Sequence, residues 1–389
     1  MWESRARALA ETIVYPQSRW QDAVVSTPRH LLVPRWFERG QETNRWELRD
    51  GPSDQGAWLD AAYGAGQTLV TRVGPVHADQ AEPGTSCQGW PTSSSTLPYL
   101  VIAMYRHARI YDGADVLDVG TGPGYGCALL TRRLGAEHVT SIDVDPYLTS
   151  TATARLADCG LHPQILTCDA STELPGNYDR IVPMLSMSAI PPSWLTALRT
   201  GGRLVFSLAA SGVVITATKT ADGGATGQVE SKPAWFMADR QGDDYPPRQA
   251  GAFEAIRDRD GEQVTRGRYP AIAVTWDSDL DAMLSVTAPG IMNDYEHDQQ
   301  TGITTAWMLH EDGSWARAGG REDEPPLVHQ GGPRRLWDIL DDIRHHWITH
   351  GTLPLRGADA HIDPDGTCYL SQGDWHATIG PLEPTALAI

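Results

Sequence analysis

The sequence predicts an α/β fold: a doubly wound parallel sheet closed by an antiparallel hairpin, followed by a smaller α+β domain at the C-terminus. Three observations lead to this prediction. Between residues 114 and 208, short apolar strands alternate with helices, which is typical of a parallel sheet covered on both faces. A glycine-rich loop joins the first strand to its helix. The 389 residues are enough for two domains with sizeable cores.

The elements of the sheet follow from local patterns. Helices are delimited by proline at the start and glycine at the end, as in PYLTSTATARLADCG (146–160). The predicted strands are ADVLDV (114–119), HVTSIDV (138–144), PQILTCD (163–169), YDRIVPML (178–185) and GGRLVFSLA (201–209). The predicted closing hairpin consists of GVVITATK (212–219) and GQVESKPAWFM (227–237).

The flanking regions read differently. Residues 1–50 are predicted to be helical and then irregular, with prolines as breaks, and residues 57–73 to form a short helix and then a strand. Beyond a polar linker, the C-terminal part contains hairpin-like strands and one amphipathic helix. The apolar positions of that helix recur at i, i+4, i+7 and i+11: Leu336, Leu340, Ile343 and Trp347.

We therefore predict a first domain at residues 1–240 and a second, α+β domain at residues 241–389. The first contains an N-terminal helical and lid region, 1–113, and a nucleotide-binding core, 114–240. Peptide-substrate recognition is the expected role of the second domain. Its tryptophans belong either to the core or to a peptide groove; they are Trp276, Trp307, Trp315, Trp337, Trp347 and Trp375.

Composition narrows the classes of function. The formal net charge is −18 at pH 7, so a phosphate backbone would be repelled and no nucleic-acid partner is expected. No apolar stretch is long enough to span a membrane and the N-terminus lacks the apolar core of a signal peptide, so we expect a cytoplasmic protein without a membrane partner. The five cysteines show no CxxC spacing, and no metal site is predicted. The oligomeric state is left open.

The most specific motif is the loop VLDVGTGPGYG at residues 116–126, between a strand and a helix. Gly120, Gly122 and Gly124 form G-x-G-x-G, in which the missing side chains let a ligand approach the backbone closely. Tyr125 stands where a dinucleotide fingerprint would have its last glycine, which makes NAD the weaker interpretation.

Three carboxylates accompany this loop. Asp118 precedes it and is suited to an ammonium group, while Asp143 ends the second strand and is suited to two ribose hydroxyls. Asp169 ends the third strand and is suited to the edge of an adenine. Alone, the loop would be only a tight turn, but ligands bind at the carboxyl ends of strands in open α/β sheets. S-adenosylmethionine combines ribose, adenine and ammonium, and is the predicted cofactor.

Over roughly residues 60–240 the sequence resembles the protein L-isoaspartate (D-aspartate) O-methyltransferases. The resemblance rests on VLDVGTGPGYGCALLTRRLG (116–135), VTSIDVDPYL (139–148) and YDRIVPMLSMSAIPPSWLTALRTGGRLVFSL (178–208). In the last segment YDRI, a proline pair and GGRLV follow in the order typical of that family. The resemblance implies a Rossmann-like methyltransferase sheet and transfer of a methyl group to a carboxylate, with S-adenosylhomocysteine as a product.

The family also has a Ser-x-Pro element before its first strand, which caps the cofactor and carries the essential hydroxyl. In PTSSSTLPYLV (91–101), Thr96-Leu97-Pro98 takes this place, so threonine stands where the family usually has serine. The resemblance therefore implies a lid loop, ahead of a helix opened by Pro98, with Thr96, Ser95 and Ser94 as catalytic hydroxyls. Gly-Gln-Thr at residues 66–68 lacks the Ser-x-Pro continuation and is interpreted as a mimic of the family's Gly-Gln-Thr.

The predicted cofactor-binding residues come from the lid, the glycine loop and the strand ends. They are Ser93, Ser94, Ser95, Thr96, Asp118, Gly120, Thr121, Gly122, Gly124, Tyr125, Asp143, Val144, Asp169 and Ala170.

The chemistry makes modest demands on these residues. A carboxylate is already ionised near neutral pH, so its methylation needs alignment by hydroxyls and backbone N–H groups rather than a strong base. The serine run and C-terminal extension resemble the branch found in gene clusters for ribosomally made, modified peptides, which implies methylation of a peptide aspartate leading to succinimide (aspartimide) or isoaspartate. The alternatives are general isoaspartate repair and, from another class, a non-catalytic peptide-binding protein.

Overall fold

A computed structural model describes residues 2–240, 242, 245 and 251–381 of the chain. Its helices are α1 (Trp2–Ile13), α2 (Gln21–Ser26), α3 (Arg29–Leu32), α4 (Gln55–Tyr63), α5 (Pro98–His107), α6 (Tyr125–Leu134), α7 (Pro146–Asp158), α8 (Pro192–Ala197), α9 (Ser278–Thr287) and α10 (Leu336–His350). Throughout these ranges, every helix is too short or too polar to cross a lipid bilayer.

The strands form three sheets. The N-terminal sheet contains β1 (Arg35–Arg39), β2 (Trp46–Asp50), β3 (Leu69–Val73), β4 (Val76–His77), β5 (Ser86–Cys87) and β6 (Pro91–Ser95). The central sheet begins with β7 (Val116–Val119), β8 (Val139–Asp143), β9 (Gln164–Thr167), β10 (Tyr178–Pro183), β11 (Leu198–Ser207), β12 (Val214–Lys219) and β13 (Ala225–Val229). The C-terminal sheet contains β14 (Gln263–Arg266), β15 (Met292–Asp298), β16 (Ile303–Leu309), β17 (Trp315–Arg321) and β18 (Leu327–Gly331), and the central sheet is completed by β19 (Asp359–Ile362), β20 (Cys368–Gln372) and β21 (Trp375–Ile379).

The central sheet has the strand order β21-β20-β19-β13-β12-β11-β10-β7-β8-β9. The strands from β11 to β9 pair in parallel, and β12 and β13 add an antiparallel hairpin. The predicted parallel sheet with its closing hairpin is thus confirmed. Because the chain runs outward from β7 in one direction and then returns to β10, the crossing point lies between β7 and β10, where open sheets of this kind bind ligands.

Both faces of the central sheet are buried. Neighbouring residues of one strand point to opposite faces, so Val116 packs with α5 and α6 while Leu117 packs against the other face. The same alternation separates Val205 from Phe206. This two-sided burial explains why the strands read as continuous apolar runs in the sequence.

The C-terminal region joins the central sheet across the predicted boundary at residue 240. β19 pairs antiparallel with β13, with Thr226 opposite His361. One apolar cluster also runs from the sheet, at Leu117 and Ile215, to Leu340 of α10 and Val328 of β18. The division at residue 240 stays a prediction, and the two sides of it share a sheet and a core.

Two expectations for the N-terminal half were wrong. Residues 35–50 contain the paired strands β1 and β2 instead of irregular chain. PTSSS is not a loop but strand β6, antiparallel to β3, and only Thr96 and Leu97 separate it from α5. β6 is polar and obtains its partner, β3, from earlier in the chain, so no local pattern indicates it.

The C-terminal tryptophans belong mainly to the core. Trp307, Trp315 and Trp337 are buried, with exposed fractions of 4%, 1% and 1%. The side chain of Trp276 lies outside the described residues. These buried tryptophans favour the core interpretation over a peptide groove.

Candidate active site

A cavity lies at the carboxyl ends of β7, β8 and β10, beside the crossing point of the sheet. It is bounded by the glycine loop, by the end of β6 and the start of α5, and by residues 235–240. Nine of the predicted site residues line it: Ser93, Ser94, Thr96, Gly120, Gly122, Asp143, Val144, Asp169 and Ala170. Ser95, Thr121 and Tyr125 line a smaller adjoining recess.

The glycine loop adopts a conformation that side chains would disturb. Gly120, Gly122 and Gly124 have φ of +94°, +51° and +96°, the left-handed region that favours glycine. A Cβ on Gly122 would lie 3.1 Å from the Ser94 carbonyl oxygen, and one on Gly120 would lie 3.5 Å from the cavity-lining Leu185. The bare backbone therefore lets β6 close over the loop and keeps cavity space for a ligand.

Two predicted carboxylates line the cavity. Asp143 accepts hydrogen bonds from the N–H groups of Gly122 (2.8 Å) and Asp145 (3.1 Å). Burial raises the pKa of Asp143, and these two N–H groups oppose that shift. Asp169 accepts hydrogen bonds from Ser171 through one carboxylate oxygen, Oδ1.

Asp118 does not line the cavity. Its carboxylate is 1% exposed and accepts a hydrogen bond of 2.7 Å from Ser141, which also hydrogen-bonds to Thr121. Burial raises the pKa of Asp118 to about 7, against the hydrogen bond from Ser141. The Asp118 and Thr121 side chains thus support the glycine loop from the interior of the fold, and Gly124 lies where the loop enters α6.

The four hydroxyls of the predicted lid have different surroundings. Ser93 accepts a hydrogen bond from Thr71. The hydroxyl of Ser95 is buried and accepts a hydrogen bond of 3.1 Å from Arg29. Ser94 and Thr96 line the cavity, as Ser93 does.

Arg29 holds this segment in place and was not predicted from the sequence. It is fully buried, and its guanidinium also donates to the carbonyl oxygens of Ala62, Gln67, Ser95 and Thr96 at 2.8–3.3 Å. Burial lowers the pKa of Arg29 to about 10. A buried arginine bound to four carbonyls ties the end of β6 to α4 and to residues 66–68.

The cavity is closed on its far side by residues 235–240. Asp239 donates its N–H to the carbonyl of Ser186 at 2.7 Å, and Ala238 forms a parallel bridge with Ser186. Burial, followed by the charge of Asp169, raises the pKa of Asp239. With Asp143, Asp169 and Asp239 in its lining, the cavity suits a positively charged ligand.

Arg240 fastens this segment to the rest of the site. Its guanidinium lies 3.1 Å from Asp145 and donates to the Thr92 carbonyl. Asp145 caps α7 and also contacts Arg72 and His77, both at 3.3 Å. Burial opposes ionisation of Asp145, but the hydrogen bond and charge of His77 and the charge of Arg72 hold its pKa well below the usual range.

Comparison with known proteins identifies the family. A protein-L-isoaspartate O-methyltransferase of Methanoculleus marisnigri is 34% identical to this chain over 207 residues, which cover 52% of the chain and 72% of the relative. The chain belongs to the protein-L-isoaspartate O-methyltransferase family. The family model for protein-L-isoaspartate(D-aspartate) O-methyltransferase matches residues 85–237.

Two further members of the protein-L-isoaspartate O-methyltransferase family extend the comparison. The enzyme of that name from Ignicoccus hospitalis is 28% identical over 188 residues, covering 47% of this chain and 70% of the relative. A solved structure of a protein-L-isoaspartate O-methyltransferase matches with a TM-score of 0.51 and 15% identity, over 95% of this chain and 99% of the other. The likeness in fold therefore includes the C-terminal region.

Membership of the protein-L-isoaspartate O-methyltransferase family makes this chain an S-adenosylmethionine-dependent methyltransferase. The cavity agrees with that cofactor, since Gly120, Gly122 and three carboxylates line it together.

Several cavity residues were missed in the sequence. Residues 235–237 were interpreted as part of the closing hairpin and residues 238–240 as the start of a polar linker, but β13 ends at Val229 and the chain then turns back over the site. Thr68, of the Gly-Gln-Thr interpreted as a mimic, also lines the cavity. The apolar run Ala-Trp-Phe-Met at 234–237 has the composition of a strand, but its position depends on long-range contacts of Met237 and Ala238 with Ser186.

Proposed function

We propose that this protein transfers a methyl group from S-adenosylmethionine to an aspartate carboxylate of a ribosomally made peptide, leading to succinimide or isoaspartate. The observation that supports this proposal is one cavity lined both by Ser94 and Thr96, which carry hydroxyls, and by Asp143 and Asp169, which carry carboxylates. Hydroxyls suit a carboxylate acceptor, and carboxylates suit a cofactor that carries ribose, adenine and ammonium.

In this proposal the strand ends and the glycine loop hold the cofactor. Asp143 accepts hydrogen bonds from ribose hydroxyls, and the free oxygen of Asp169 faces the adenine edge together with Val144 and Ala170. Gly120 and Gly122 allow close approach of the amino-acid portion. Asp118, behind the loop, acts on the ammonium through the loop and not by contact. Bound there, S-adenosylmethionine supplies an activated methyl group on a sulfonium.

The acceptor carboxylate is oriented by Thr96 and Ser94. Their hydroxyls donate hydrogen bonds to one carboxylate oxygen and leave the other to form the new bond to the methyl carbon. No proton has to be removed, because the acceptor is ionised near neutral pH. Ser95 does not contact the acceptor in this proposal. Its hydroxyl accepts a hydrogen bond from Arg29, which holds the end of β6 in place.

The ester then reacts within the peptide. The backbone nitrogen that follows the aspartate attacks the ester carbon, loses its proton, and methanol leaves, which closes a five-membered succinimide. Water can open this ring to aspartate or isoaspartate. This second step needs little from the protein, provided that the methylated peptide adopts a conformation in which the nitrogen can reach the ester carbon.

General repair of isoaspartate in damaged proteins is the second candidate. The relatives named above support it, because their names are those of protein-L-isoaspartate O-methyltransferases. The C-terminal extension does not distinguish the candidates, since the matching solved structure covers 95% of this chain. The serine run favours the peptide-modifying role, because it resembles the branch found in gene clusters for modified peptides.

Substrate choice separates the two. The purified protein is incubated with S-adenosylmethionine and, in parallel, with an isoaspartyl test peptide and with the precursor peptide encoded beside its gene. Mass spectrometry of the precursor should show a methyl adduct and then a net loss of water at one aspartate. Methylation of the isoaspartyl peptide alone would assign the repair role instead.

A further inference from the structure

A groove on the surface continues from the cavity. It lies between the end of α1, the start of α5 and the chain just before residue 235. Its lining includes Glu11, Tyr15, Tyr99, Arg106, His107 and Lys232.

The groove and the cavity are adjacent. Leu100 lines both of them. On either side, Thr68 and Trp235 of the cavity are close in sequence to Gly66 and Ala234 of the groove. Three separate segments thus border both, so the groove lies beside the place where a peptide bound at Thr96 would leave the cavity.

Two cations of the groove are available to a ligand. In the part of the chain that the structure describes, neither Arg106 nor Lys232 forms an ion pair with a carboxylate. Burial lowers the pKa of His107 most strongly, and the charge of Lys232 lowers it further. Lys232 therefore lies near His107 in the groove. His107 itself lies 3.3 Å from Glu230, and Glu11 is the carboxylate in the lining.

These cations are unusual in this protein. Its formal net charge is −18, and only two of its residues are lysines, Lys219 and Lys232. An exposed lysine without an acidic partner next to the acceptor end of an acidic cavity attracts negative charge locally. A ligand that combines an extended backbone with carboxylates matches this pattern.

Aromatic side chains add apolar contact area. Tyr15 is 72% exposed and Tyr99 49% exposed, both in the groove, and Trp235 is 54% exposed at its junction with the cavity. Arg106 lies over the Tyr15 ring at 4.6 Å, which fixes the ring at the groove wall. Exposed tyrosines beside an arginine are typical of surfaces that bind proteins or peptides.

From this geometry we infer that the groove binds an acidic segment of the peptide substrate flanking the target aspartate, with Lys232 and Arg106 contacting its carboxylates. The inference rests on the proposed function and names the substrate class: peptides with glutamate or aspartate next to the modified residue. Tyr15 and Tyr99 contact the peptide backbone and apolar side chains between those charges.

Binding is tested apart from methyl transfer. Two fluorescein-labelled nonapeptides carry a central aspartate, flanked in one by glutamates and in the other by glutamines. Fluorescence anisotropy with the full chain and S-adenosylhomocysteine, at low salt, gives a Kd for each. We expect the glutamate peptide to bind more tightly, and Lys232→Gln to weaken its binding about three- to fivefold, with a larger loss in Lys232→Glu.

Lys219→Gln is the matched control, because it removes the other lysine charge from the hairpin outside the groove. This variant should bind the glutamate peptide as the unmodified protein does. Equal binding of the two peptides, or equal losses in the Lys219 and Lys232 variants, would overturn the groove assignment. If the glutamate peptide binds selectively but neither it nor the encoded precursor is methylated, the groove assignment stands and the proposed function fails.

Discussion

Thr96 and Asp143 line the same cavity but make different contacts. Asp143 holds the glycine loop through Gly122, whereas the backbone carbonyl of Thr96 is held by Arg29 and its hydroxyl is directed to no described partner. Two side chains at one site can therefore serve separate steps, one in binding the cofactor and the other in turnover.

Substitution of these two residues tests that division. Asp143→Ala should raise the Kd for S-adenosylmethionine at least about tenfold, because a charged hydrogen-bond acceptor is lost. Thr96→Ala should leave that Kd nearly unchanged and lower kcat about 100-fold, with recovery in Thr96→Ser. Calorimetry and a methyl-transfer assay measure both; equal losses of cofactor affinity would contradict the assignment.

Asp118 gives the protein a pH dependence of its own. Burial raises its pKa to about 7, so the folded state keeps a proton that the unfolded state releases above about pH 4. Its contribution to stability is thus complete below about pH 4, declines up to about pH 7 and is constant above that. The variant Asp118→Asn has no ionisable group at this position, so its stability lacks this dependence on pH.

The measurement is urea unfolding of both proteins between pH 4 and pH 9. The free energy of unfolding of the unmodified protein, minus that of Asp118→Asn, should fall as pH rises to about 7, by at most about 1.4 kcal/mol per pH unit. A difference that is flat throughout this range would show that the carboxylate is ionised in the folded state.

Among the elements, β6 and the glycine loop depend on each other. Gly122 and Gly160 both have positive φ, +51° and +72°, so alanine at either position costs about 1–2 kcal/mol of conformational energy. Only at Gly122 would the new Cβ approach another backbone, 3.1 Å from the Ser94 carbonyl oxygen, while Gly160 has open space.

We expect Gly122→Ala to displace β6 and to weaken S-adenosylmethionine binding about tenfold or more, whereas Gly160→Ala loses stability without loss of affinity. Thermal unfolding and calorimetry on both variants separate the two effects. Similar affinities in the two variants would mean that the Gly122–Ser94 contact does not shape the cavity.

Arg29 joins β6 to α4. Replacing it with methionine removes the donor of five hydrogen bonds, whose acceptors are buried or partly buried. Arg29→Met should therefore lower the free energy of unfolding by about 3 kcal/mol or more. The exposed Arg7 is the control, and Arg7→Met should change stability by less than about 0.5 kcal/mol. Urea unfolding measures both; a small effect at Arg29 would contradict its role as an anchor.

The elements that the sequence predicts well are those with local signals. Pro146 marks the start of α7, and Gly135 marks the end of α6. The parallel sheet follows from the alternation of strands and helices along the chain. β6 could not be predicted in this way, because a run of serine and threonine has no strand pattern and gains its partner, β3, from earlier in the chain. Arg29 was missed for the same reason: nothing near it in the sequence indicates burial.

For the whole molecule, the sheet that carries the site extends into the C-terminal region. β19 covers the edge of β13, and the apolar cluster beneath the sheet includes Leu340 and Ile362. The predicted division into two domains implies that residues 1–240 fold by themselves. Expressing these residues without the rest of the chain tests that division directly. Removing the rest exposes a strand edge and part of the core.

We therefore expect a chain ended after residue 240 to aggregate or to lack cooperative unfolding, while the full chain unfolds cooperatively. Size-exclusion chromatography and thermal unfolding by circular dichroism report both properties. A monomeric, cooperatively folded fragment that binds S-adenosylmethionine would establish the division at residue 240.

The scarcity of lysine also has a practical consequence for spectroscopy. Reductive methylation with ¹³C-formaldehyde labels primary amines, and apart from the N-terminal amine this chain offers two, Lys219 and Lys232. Lys232 lies in the groove, while the amine of Lys219 is held by the Leu198 carbonyl at 2.7 Å. In a two-dimensional NMR spectrum, one methyl resonance reports occupancy of the groove and the other is an internal reference within the same molecule.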